Sequence, residues 1–146
     1  MIPFKFKLQP ELDQRARVVR DCQQRVSALQ YQRIQLEERV RRFQCQIREE
    51  RHILREQLTG GADIPKARLQ AHATVFLTHK ADDLVREIAG VYTQLESARR
   101  QLSAASSQKR ALERLREKRQ KEWVKEKQKR EQNELEDITS MRTARG

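Results

Sequence analysis

The sequence predicts an all-α fold: a long antiparallel two-helix coiled-coil hairpin with a charged C-terminal helical overhang. Three observations carry that prediction. Two apolar ladders step along the chain by alternating threes and fours, the spacing that keeps one stripe of a supercoiled helix against a partner. The only Gly/Pro-rich break inside the chain, Leu58-Thr59-Gly60-Gly61-Ala62-Asp63-Ile64-Pro65, falls between them. The third is composition: of 146 residues 36% are charged and 5% aromatic, with four Gly and three Pro. Such a chain suits helices that are solvated on all but one stripe and argues against a loop-rich or all-β core.

The first helix is expected over about residues 10–58, with the ladder Leu12, Val19, Cys22, Val26, Leu29, Leu36, Val40, Phe43, Ile47, Leu54. A turn over 59–65 follows, because Gly after a helix and Pro at the start of the next are stop and start signals. The second helix is expected over 66–140, with the ladder Leu77, Ala81, Leu84, Ile88, Val91, Leu95, Ala98, Leu102, Ala105, Leu112. Residues 141–146 read as a flexible tail, and the whole of 1–146 as a single hairpin domain. A turn centred near Ala62 sets Leu12 opposite Leu112, Val26 opposite Ala98, Leu29 opposite Leu95 and Phe43 opposite Ala81. Large residues thus often meet small ones, which fills a seam without voids. The misfits are Arg15 opposite Lys109, Arg33 opposite Val91 and Glu50 opposite Thr74. A long Arg or Lys at such a place lies along the seam and carries its charge to water.

Beyond about residue 116 the second helix outruns the first. This overhang is mostly charged and polar, with Trp123 its one aromatic residue. The net charge of +11 is concentrated just before it. From Arg99 to Lys121 there are nine basic residues and two acidic ones, Glu113 and Glu117. Beyond it the signs are mixed: Glu126–Arg130 and Arg130–Glu134 are opposite charges at i, i+4, which supports a solvated helix by roughly 0.2–0.5 kcal/mol per pair.

Several function classes find no support. No P-loop, dinucleotide turn or nucleophile elbow is present, and a two-helix fold offers no concave pocket, so no enzyme activity and no cofactor is expected. His52, His72 and His79 lack the third and fourth ligands that a zinc site needs, so no metal is expected either. No stretch approaches the ~20 apolar residues that span a bilayer, and the first eight residues lack the pattern of a secretory signal. Two cysteines, Cys22 on the seam and Cys45 off it, fit a reducing compartment. A pI near 10.3 raises nucleic acid as a partner. Against it, the basic belt follows the second ladder instead of preceding a zipper, and no aromatics interleave with it for base stacking. No nucleic-acid binding is therefore expected.

Apolar residues off the seam are the candidate binding sites. Ile53, Val75 and Phe76 would form a patch near the turn, unless Phe76 and Ile53 merely widen the seam there. Tyr31 and Tyr92 flank the mid-section. Phe4 and Phe6 would either cover the seam near Arg116 to Trp123 or dock onto another protein.

The opening Phe4-Lys5-Phe6-Lys7-Leu8-Gln9, followed by Leu12-Asp13-Gln14-Arg15, resembles the aromatic-basic-aromatic-basic-Leu-Gln start of the flagellar export protein FliJ family. Gln108-Lys109-Arg110-Ala111-Leu112-Glu113-Arg114-Leu115-Arg116-Glu117-Lys118-Arg119 is similar to the family's Leu-Glu-Lys-Leu-Lys-Glu-Lys stretch. Trp123 stands where an aromatic is usual. Glu131-Gln132-Asn133-Glu134-Leu135-Glu136-Asp137-Ile138 matches the Glu-Gln-Lys-Glu-Leu-Asp-Glu-Ile pattern. Length and the Gly-Gly turn fit as well. Lys80 and Asp82-Asp83 depart from the more apolar segment expected after the turn, so no tip residue is carried over from the family.

The resemblance implies a non-enzymatic cytosolic component of the flagellar type III export apparatus, similar to the central stalk of rotary ATPases. Its implied partners are the hexameric flagellar export ATPase (FliI-like), the export gate protein (FlhA-like) and export chaperones, with peripheral association to the membrane-embedded apparatus. On this reading the basic terminal end, with Arg114, Arg116, Arg119 and Trp123, enters the ATPase ring. The tip, with Phe76, Ile53 and Val75, faces the gate. A rod of ~50 paired residues would be ~75 Å long at 1.5 Å per residue. The rival readings are the stalk of a virulence-type secretion system, a generic coiled-coil scaffold and a basic nucleic-acid-binding coiled coil.

Overall fold

The computed structural model describes residues 2–61 and 63–146; Ala62, on which the expected turn is centred, lies outside them. The chain forms α1 (Gln9–Thr59) and α2 (Ile64–Arg145), and the described residues contain no strand. The two helices pack against each other as an all-α helical hairpin.

Helix ends follow local chemistry. Leu8 offers its carbonyl to the amide of Leu12 at 2.9 Å, which makes it the residue that opens α1. At the far end the Thr59 hydroxyl folds back to donate to the carbonyls of Arg55 and Glu56, at 2.9 and 3.1 Å, within the last turn. Gly60 still makes the helical bond to Glu56, and Gly61 then takes φ +76, a left-handed conformation that costs a glycine little. Asp63 accepts from the amide of Ala67 at 3.1 Å and so stands at the N-cap of α2.

Both ends of α2 lie outside the span expected from sequence. It starts at Ile64 instead of 66, because Pro65 then falls in the first turn, where its missing N–H leaves nothing unpaired. It runs to Arg145 instead of 140, because no Gly or Pro stands between residue 140 and Gly146. Arg142 and Arg145 also sit in its last turn, where the helix dipole favours positive charge.

The chain divides into two compact units. The hairpin unit spans Cys22–Gln101 and contains both sides of the turn. Its core is Val26, Leu36, Val40 and Ile47 from α1 with Ala67, Ala81, Leu84, Val91, Leu95 and Ala98 from α2, and Leu95 is only 1% exposed. The chain-end unit joins the residues up to Asp21 with Leu102–Gly146. Its core is smaller: Leu12 and Val19 from α1 with Ala105 from α2. Every residue of both ladders is buried or half-buried.

The three expected misfits resolve differently. Arg15 donates to Gln108 Oε1 at 2.6 Å, one position from the expected Lys109. Lys109 pairs instead with Glu113 on its own helix at 3.6 Å. Arg33 lies against the facing helix. It is half-buried, with its guanidinium 5.7 Å from the centroid of the Tyr92 ring on α2, within cation–π range. Thr74, opposite the Glu50 position, is buried, and its hydroxyl is satisfied by the Gln70 carbonyl at 3.1 Å.

Candidate partner-binding surfaces

In the hairpin unit, Phe76 and Val75 project from α2 and are 60% and 54% exposed, while Ile53 on α1 is exposed at 37%. Phe76 and Val75 lie off the seam, whose nearby positions Thr74 and Leu77 are buried or half-buried, while Ile53, next to half-buried Leu54, lies at its edge. Phe76 carries the ammonium of Lys80 5.5 Å from its ring centroid, so its exposed face is flanked by positive charge.

The apolar surface near the turn is broader than the sequence reading had it. Leu58, Ile64 and Leu69 are all more than 60% exposed. Ile64, Pro65, Arg68, Leu69 and His72 line a shallow cavity of about 300 Å³ on α2. Spacing of i, i+4 and i+5 was the available signal, but these residues lie before Leu77, where the regular ladder begins: Ile64 and Pro65 fall in the expected turn, and Arg68, Leu69 and His72 at the start of the expected second helix. Of the histidines, His52 pairs with Glu56 at 3.1 Å on its own helix. Among the described residues no His, Cys, Asp or Glu cluster has the makings of a metal site.

Further along the same unit lies a cluster that sequence reasoning missed. Tyr92 on α2 donates to Glu37 Oε1 on α1 at 3.0 Å, and Arg33 Nε approaches the same carboxylate oxygen at 3.9 Å while its guanidinium overlies the Tyr92 ring. The 3.9 Å separation is too long for a hydrogen bond, and Arg33 Nε is left without one. The cluster therefore ties the helices together mainly through the Tyr92–Glu37 bond. Heptad analysis sees Arg33 only as an interruption, because it scores positions one helix at a time.

The chain-end unit carries the basic belt. Arg114, Arg116 and Arg119 are all exposed, and none is held in an ion pair among the described residues. Three guanidinium groups within two turns of one helix are thus free to meet an acidic surface. Trp123 is only half-buried and is contacted on two sides, with the Phe4 ring centroid 6.0 Å away and the Lys127 ammonium 5.4 Å from its ring. Of the two expectations for Phe4 and Phe6, the structure shows the covering one: both are half-buried beside this part of α2.

Charged helices with an aromatic N-terminal segment and a Trp near the end of a basic belt are the arrangement that the resemblance implied. A family model described as the flagellar FliJ protein matches residues 4–146. The chain belongs to the FliJ family. Membership makes it a component of the flagellar export apparatus, a structural one in a family not known for enzymes. The FliJ match takes in both the Phe4–Phe6 segment and Trp123. No curated protein and no solved structure matches the chain. None of its helices is long and apolar enough to cross a membrane, among the described residues.

Proposed function

We propose that this protein is the non-enzymatic coiled-coil stalk of the flagellar type III export apparatus, linking the hexameric export ATPase to the export gate and assisting delivery of substrates and their chaperones. The observation that carries the reading is the family match over residues 4–146. The distribution of surface chemistry supports a division of labour. The chain-end unit presents Arg114, Arg116 and Arg119 unpaired beside Trp123, suited to an acidic lining in the ATPase ring. The hairpin unit presents Phe76, Val75 and Ile53, suited to an apolar site on the gate, since exposed aromatics are efficient anchors. The protein works in the cytoplasm, associated peripherally with the membrane-embedded apparatus at the flagellar base.

The test is charge reversal at the belt. A chain carrying Arg114→Glu, Arg116→Glu and Arg119→Glu should bind the export ATPase at least tenfold more weakly, about 1.4 kcal/mol, and with a weaker salt dependence. Binding to the gate protein should be unchanged. Equal loss at both partners, with helical content intact, would refute the assignment of the two surfaces.

A further inference from the structure

Residues Ile2–Phe6 precede α1 without helical structure, and their side chains alternate: Phe4 and Phe6 are half-buried, Lys5 and Lys7 exposed. That is the period of two of an extended chain with one face against a support. The support is α2. The Phe4 and Trp123 rings meet at a tilt of 54°, and Phe4, Phe6 and Leu8 share a groove of about 740 Å³ with Leu115, Arg119 and Trp123. The segment thus occupies a stretch of α2 within the chain-end unit that no residue of α1 contributes to.

How the segment is held is as informative as where it lies. Outside the helices, the backbone hydrogen bonds of this region are Gln9 to the Phe6 carbonyl at 3.1 Å and Leu12 to the Leu8 carbonyl at 2.9 Å. Both sit at the junction with α1, and among the described residues none joins the segment's backbone to α2. Attachment therefore rests on aromatic side chains that are themselves only half-buried, each short of the full value of a buried Phe. Glu122 and Glu126 stand on the rim of the groove, and Lys5 and Lys7 belong to the segment that crosses it.

We propose that residues 2–8 are a detachable strap, and that the Trp123 groove beneath them is a docking site for an extended segment in which aromatic and basic residues alternate. The chain's own N-terminus is the resident occupant. Held by so few contacts, the strap opens without the helices unfolding, with roughly 0.1–10% of molecules open at rest. Opening uncovers Trp123 beside Arg119, which is exposed already. The strap stands or falls separately from the ATPase contact proposed above, because its test involves no partner.

Trp123 is the only tryptophan in the chain, so its fluorescence reads the groove directly in the full-length protein. In the intact chain, low urea should shift Trp123 emission to the red before ellipticity falls. The Phe4→Ala/Phe6→Ala variant should keep its helical content and show a severalfold rise in quenching of Trp123 by iodide. A synthetic peptide of residues 1–9 added to that variant should restore the shielding. A single coincident urea transition for emission and ellipticity in the intact chain would overturn the proposal. So would a variant that is no more quenchable than the intact chain, or one on which the peptide has no effect.

Discussion

Leu95 and Gly90 sit five positions apart on α2 and mark the extremes of what one residue does for this hairpin. Leu95 is the most deeply enclosed side chain, 1% exposed between two helices with no second layer behind them. Leu95→Ala is therefore expected to cost about 2–5 kcal/mol, the range for buried Leu truncation, measured as a fall in the urea midpoint of the helical signal. Gly90 is the opposite case. It is helical and exposed, and a Cβ built there meets nothing within 4 Å. Gly90→Ala should therefore raise stability by about 0.4–1 kcal/mol by restricting the unfolded chain, read in the same titration. A loss of stability there would mean that a neighbour approaches Gly90 in solution. Burial at single positions was largely legible in advance, since each ladder residue is shielded. The Arg33–Glu37–Tyr92 cluster was not. Its parts lie on two helices, and an Arg on the seam looks the same in sequence whether it reaches for water or for an aromatic ring.

At the scale of the helix, the ends decide where each element stops. Gly61 with φ +76 lets α1 end, and nothing lies near the position of a Cβ there, so conformation alone opposes substitution. Gly61→Ala should therefore destabilise by about 1 kcal/mol, and unchanged stability would show that the turn has an alternative backbone route. The sequence placed this stop within a few residues because Gly and Pro act locally. It was less informative about the far end of α2, where a tail was expected after 140 and the helix runs on to Arg145. Alternating charges hold a helix and a solvated coil almost equally well, and the decision there falls to weak i, i+4 pairs and the dipole. The covering position of Phe4 and Phe6 was legible as one of two alternatives, and the fold shows which surface lies beneath them.

For the molecule as a whole, the apolar stripe is consumed within one chain. The expected mass in light scattering is therefore that of the monomer, 17.4 kDa. A mass twice that at micromolar concentration would mean that two chains exchange helices and that the intramolecular seam is not the preferred one. A net charge of +11 adds to this expectation, because like copies repel. The all-α class was readable from periodicity and composition. Membership of the export apparatus was not readable from physics in the same way, since exposed residues obey no packing rule. There the order of short motifs along the chain supplied what energetics does not. One further property follows from the unequal halves of the seam. Its buried positions on α2 are rich in alanine, Ala67, Ala81, Ala98 and Ala105, while α1 contributes Leu, Val and Ile. A methyl-lined wall has no slack of its own, so bulk gained on that wall through inheritance must be surrendered by the helix facing it, and the two helices are bound to drift through generations as a matched set.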